Sequence, residues 1–146
     1  MPAVRKVSVA SPSSGPIEFA DKLRAAITPQ WGGKVWSLYH KGHKRQMLFN
    51  NPAHQPANIG YLKAWASGGA EWNWAPGYIG HSVFTESPVW TAVLPSRLGP
   101  VVRVWEYDRL NSTVWQVDIL LVGDAMFVHP KVTNPNFDPL PGYWWT

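Results

Sequence analysis

The fold is decided by the stretch Val101-Val102-Arg103-Val104-Trp105-Glu106-Tyr107-Asp108-Arg109-Leu110-Asn111-Ser112-Thr113-Val114-Trp115-Gln116-Val117-Asp118-Ile119-Leu120-Leu121-Val122. In its first part Val101, Arg103, Trp105 and Tyr107 alternate with Val102, Val104, Glu106 and Asp108. In its second part Thr113, Trp115, Val117, Ile119 and Leu121 line one face over five positions. Successive side chains on a strand point to opposite faces, so a period of two in β-branched and aromatic residues predicts two strands. Arg109-Leu110-Asn111 is short and polar, and joins them as an antiparallel hairpin. Glu106 and Asp108 share one face and read as solvent-facing charges.

Working outward, residues 34–40 alternate Val35, Ser37 and Tyr39 with Trp36, Leu38 and His40, which predicts a strand after the turn Thr28-Pro29-Gln30-Trp31-Gly32-Gly33. Lys41-Gly42-His43-Lys44 is a hairpin turn, and 46–49 is the return strand. Residues 125–133 read as a strand interrupted at Pro130, and 82–94 as one or two short strands broken at Pro88. Residues 50–56 and 134–142 are irregular. The segment 17–27 fits two templates: Ile17, Ala20, Leu23 and Ile27 have helical spacing, whereas Leu23, Ala25 and Ile27 form one face of a strand. Residues 1–16 read as a flexible N-terminal arm and 17–146 as a single β domain.

Composition agrees with this fold class. Fourteen Pro and twelve Gly in 146 residues argue against a helical bundle and for short strands joined by turns. Ten Trp against five Phe is unusual and points to aromatic platforms, packing, or both. The net charge of +4 is dispersed, with its one cluster, Lys41-Gly42-His43-Lys44-Arg45, on a turn. That favours a solvated turn over a nucleic-acid patch. The chain has no Cys, which excludes disulfides, thiolate nucleophiles and zinc–thiolate sites. No apolar run reaches the ~18 residues that span a membrane, and residues 1–10 lack the apolar core of a signal peptide. The expectation is a cytoplasmic protein without a cofactor, metal, nucleic-acid or membrane partner.

The segment 64–81, Ala-Trp-Ala-Ser-Gly-Gly-Ala-Glu-Trp-Asn-Trp-Ala-Pro-Gly-Tyr-Ile-Gly-His, carries the chemistry. Its Gly and Pro residues make it a poor helix. Trp65, Trp72 and Trp74 offer apolar faces, and Glu71, Asn73, Tyr78 and His81 offer hydrogen bonds. Flat rings beside such groups suit a carbohydrate, with its apolar C–H faces and hydroxyls. A Trp-rich β core with a glycine corner is the plain structural alternative. His40-x-x-His43 spans a turn and is a poor metal site. Gly32-Gly33 and Gly68-Gly69 lack the context of a phosphate loop.

Several motifs, in order, resemble one family of galactose-mutarotase-like domains. That family is named only as a domain of unknown function and in bacteria often sits beside tetratricopeptide repeats. They are Gly32-Gly33-Lys34-Val35-Trp36-Ser37-Leu38-Tyr39-His40-Lys41, Trp65-Ala66-Ser67-Gly68-Gly69-Ala70-Glu71-Trp72-Asn73, Gly80-His81-Ser82, Asp108-Arg109 with Trp115-Gln116-Val117, and Asn134-Pro135 with Tyr143-Trp144-Trp145-Thr146. The resemblance covers residue 22 or so to residue 146. It implies an antiparallel β-sandwich of the supersandwich type, whose members handle carbohydrates on a concave sheet face. It also implies that this chain corresponds to the first half of the family domain. In the better-known mutarotases the carboxylate base comes from the later half, and no residue here matches it.

Three functions follow as expectations. In the first, the domain acts on the anomeric centre of a sugar, with Glu71 and His81 as the acid–base pair; Trp65, Trp72, Asn73, Trp74, Tyr78 and Arg109 contact the substrate. A two-carboxylate glycosidase would instead pair Glu71 with Glu86 or Asp108. In the second, the domain is a non-catalytic glycan-binding module. In the third, it is a structural half-domain, stable as a homodimer that covers the aromatic end Tyr143-Trp144-Trp145.

Overall fold

A computed structural model describes residues 21–50, 57–59, 62–65, 68–76, 84–85 and 87–146. The expected arm, 1–16, and the first part of the ambiguous segment lie outside the described residues. No α-helix occurs among those described; a single 3-10 turn spans Pro29–Trp31. The strands among the described residues are β1 (Leu23–Thr28), β2 (Lys34–His40), β3 (Arg45–Gln46), β4 (Ala57–Ile59), β5 (Leu62–Trp65), β6 (Asn73–Pro76), β7 (Trp90–Leu94), β8 (Val101–Asp108), β9 (Thr113–Val122), β10 (Ala125–Thr133) and β11 (Gly142–Trp145). All pairings between them are antiparallel. They form a three-stranded sheet β1-β2-β3, a four-stranded sheet β10-β9-β8-β7, and the pairs β11-β6 and β4-β5.

The larger sheet rests on the alternation that decided the fold. Thr113, Trp115, Val117, Ile119 and Leu121 of β9 are all buried, and Val102 and Val104 of β8 lie on the same side. Across from them, Leu23, Ala25 and Ile27 of β1 and Val35 of β2 close one apolar core that also takes in Trp72 and Val89. The molecule is thus an all-β antiparallel, sandwich-like fold. In the described part of the segment that fitted two templates, Leu23–Thr28 takes the strand solution, since burying Leu23, Ala25 and Ile27 on one face needs a period of two.

Gly33 shows how closely the layers approach. It has φ +67°, and a Cβ there would sit 2.7 Å from the Val104 side chain. Only glycine meets both the left-handed backbone and this contact.

Three expectations need correction. Pro130 does not interrupt β10, which runs unbroken through it, paired with Val117. β10 is an edge strand, where one side of the backbone needs no partner and proline is tolerated. The return strand expected at 46–49 shrinks to Arg45–Gln46 plus one bond from Met47 N–H to the Leu38 carbonyl, 2.7 Å, and Phe49 is exposed. Asp108 is not a solvent-facing charge but is buried at the end of β8. Its Oδ1 accepts from Leu110 N–H (2.9 Å) and Asn111 N–H (3.3 Å), and its Oδ2 from the Asn111 amide (2.7 Å). The carboxylate therefore organises the 109–112 turn.

Tyr143-Trp144-Trp145 form β11, which pairs with β6 in the register Trp144 to Trp74. Trp144 packs on the core and stacks on Trp115, with centroids 6.3 Å apart and planes 19° apart. Tyr143 stays open at 39% exposure. The end expected to need a second subunit is thus covered in part by its own domain.

Candidate functional site

Two regions hold chemistry. The first is the glycine corner. Gly69 has φ +73°, and a Cβ would lie 2.5 Å from the Val35 carbonyl oxygen. That close approach lets Ala70 exchange two 2.9 Å backbone bonds with Val35 and lays residues 68–73 beside the start of β2. Glu71 is thereby placed over Lys34, with Oε2 3.4 Å from Nζ. The Lys34 side chain is 1% exposed and that of Glu71 13%.

A buried polar chain continues from there. The Asn73 amide donates to Glu71 Oε1 at 3.2 Å, and Thr85 Oγ1 donates to Asn73 Oδ1 at 3.1 Å. Trp72 Nε1 donates to the Gly33 carbonyl at 2.9 Å. Asn73 and Thr85 are buried, so each bond satisfies a group that would otherwise be costly in the interior. Glu71 here is the counter-ion of a buried lysine. A general base needs a carboxylate open to a substrate proton, and this one is engaged on both oxygens.

The structure brings together Glu71 and Asn73 of the expected site, with Lys34 and Thr85 as unforeseen partners. His81 and Tyr78 lie outside the described residues, so the Glu71–His81 pairing does too, as does Glu86. Trp65 is in β5, and its ring is not among the described side chains. Trp72 is 4% exposed and serves the core, leaving no face for a ligand. Trp74 is half-buried, and its Nε1 is buried without a hydrogen-bond partner among the described residues. Arg109 is exposed in the β8–β9 turn. Among the described residues, no group of three or more His, Asp or Glu side chains is placed to hold a metal.

The second region is the face of the four-stranded sheet that points away from the core. Directly paired residues share a face, so the register lays out rows across it. One row runs Trp90, Trp105, Gln116, Lys131, and the next runs Ala92, Arg103, Asp118, His129. Flanking rows add Tyr107 and Val114 on one side and Leu120 and Phe127 on the other. Trp90 is 57% exposed, and Tyr107 and Phe127 are also exposed.

At the centre Arg103 grips Asp118 with two bonds, Nε to Oδ1 at 2.6 Å and Nη2 to Oδ2 at 2.7 Å. Gln116 adds a 3.3 Å bond to Oδ1. The bond to Asp118 holds the Arg103 guanidinium above its already high ordinary value. Two parallel bonds fix both groups as a flat polar plate beside the rings. The sequence placed Arg103, Trp105 and Tyr107 on one face. It did not show that this face, and not its opposite, is left open.

An all-β sandwich with antiparallel sheets and an open aromatic face is the class that fold and site define. The family described as a domain of unknown function, DUF5107, matches residues 17–146, and the chain belongs to that family. A crystal structure of a TPR-domain containing protein from Parabacteroides distasonis has the same fold over 80% of this chain, with TM-score 0.67 at 23% identity. The match spans 20% of that protein's length. Its description agrees with the association with tetratricopeptide repeats noted above.

Proposed function

We propose that this domain is a glycan-binding module of the galactose-mutarotase-like kind, and that it takes its ligand on the open face of β7–β10. The observation that carries the reading is the cross-strand pair Trp90–Trp105 beside the Arg103–Asp118 plate. Adjacent rings on a rigid sheet present an apolar platform that costs little ordering on binding. The guanidinium, carboxylate and amide beside them supply donors and acceptors for hydroxyls. The acid–base reading of Glu71 and His81 has less support, because Glu71 is tied to Lys34.

Retention on insoluble polysaccharides and a glycan array test this reading. The intact protein should be retained, and Trp90→Ala with Trp105→Ala should abolish retention while the thermal midpoint stays near that of the parent. Failure to bind any glycan, or retention unchanged in the double variant, would overturn it.

The homodimer is proposed on a separate observation. The two edges of the larger sheet differ: β10 carries Pro130 and Lys131, which discourage pairing, whereas β7 reads Trp90-Thr91-Ala92-Val93-Leu94 with Trp90 and Val93 exposed. β7 is the edge suited to a second copy.

A further inference from the structure

We infer that the glycan taken by the open face is acidic, an oligosaccharide whose units carry carboxylates. The inference rests on the binding reading above and adds the charge of the ligand.

The open face divides along its rows. Trp90 and Trp105 lie on the β7–β8 side, and Lys131 and His129 on the β10 side. The Lys131 and His129 side chains are exposed and make no hydrogen bond or ion pair among the described residues. The Asp118 carboxylate is already matched by Arg103, so Lys131 is left as an uncompensated positive charge beside the platform. Across the two central rows, the groups that could repel an anion reduce to that neutralised Asp118. The whole chain has the same sign, at +4.

Two inter-strand spacings of ~4.8 Å separate Trp105 from Lys131 in their row, about 10 Å at the backbone. A flexible lysine stem covers much of that span. A sugar ring lying on Trp105 would therefore have its ring substituent, or that of the next unit, within reach of the Lys131 ammonium. Neutral glycans would use the rings and the polar plate but would leave Lys131 idle.

Affinity electrophoresis of the full chain through gels containing polygalacturonate, hydroxyethylcellulose or polyglutamate tests this. The expected result is retardation by polygalacturonate, weaker retardation by hydroxyethylcellulose and none by polyglutamate, which has the charge without the ring. Lys131→Gln, an exposed change, should weaken polygalacturonate binding by about fivefold, the ceiling for one solvent-exposed ion pair, and leave hydroxyethylcellulose binding as it was. Added salt should erase the difference between the two proteins. Equal or tighter binding of the neutral polymer would overturn the inference and leave the glycan reading standing. Equal retardation by polyglutamate would overturn it as unspecific charge attraction. No retardation by any of the three, with a blank glycan array, would remove both.

Discussion

Glu71 drew attention as a carboxylate among indoles, and the physical reason for it is Lys34. An ammonium at 1% exposure needs a counter-charge, and Glu71 supplies it. Nothing local in the sequence marks the partnership, because the Gly69 close approach to β2 creates it. The consequence for Glu71→Gln is the reverse of what a catalytic base implies. Stability should fall by on the order of 3 kcal/mol, read as a lower urea midpoint, since a buried charge loses its partner. Lys34→Met combined with Glu71→Leu should cost less than Glu71→Gln alone, because it removes both charges. A second residue-scale prediction concerns acid. Lys22, 3.1 Å from Asp124, holds that carboxyl below the usual range. A lowered folded value means that the contribution is present above the ordinary pKa of ~3.9 and is lost as pH falls through the folded value. Asp124→Asn should remove a small, salt-sensitive contribution at neutral pH and leave the midpoint unchanged at the acid end, where the carboxyl is protonated in both states, as denaturation from pH 2 to 7 would show.

Gly33 sets the distance between two elements, the β1–β2 turn and β8. Gly33→Ala should lower stability by about 1–3 kcal/mol, the usual cost of overpacking, with a further penalty for the left-handed backbone. A differential scan against the parent measures it. At this scale the sequence was most legible where side chains alternate: β2, β8 and β9 fall at or within a residue of where alternation placed them, and β10 keeps the bounds read for it but not the break. Pro130 misled because a proline signals a break only where the strand has neighbours on both sides, and position in the sheet is not written locally. Asp108 misled in a related way. Alternation put it with Val102 and Val104, yet its charge suggested water; the turn amides that stabilise it lie just beyond the strand. The pairing of β6 with β11 had no local signature at all, and the face carrying Trp90 and Trp105 needed the register of four strands.

For the whole molecule, the unequal edges of the larger sheet bear on assembly. Sedimentation equilibrium at micromolar concentration should show a dimer, and Val93→Lys should return it to a folded monomer with an unchanged far-UV spectrum, because Val93 is 48% exposed in the single chain. A parent protein that sediments as a monomer, or a dimer indifferent to Val93→Lys, would rule out the β7 edge.

The order of strands in that sheet has a kinetic consequence. β7, β8 and β9 each pair with the next strand along the chain, so the four strands close through short turns, whereas β11 must find β6 from far along the sequence. Loop closure precedes the reward of contact, and its entropic cost rises with the length closed. The meander therefore forms early and offers Trp115 as a landing surface, and β11 docks late, when Trp144 stacks on it. Pulse-labelled amides should gain protection first along β8 and β9 and last at Tyr143 and Trp144.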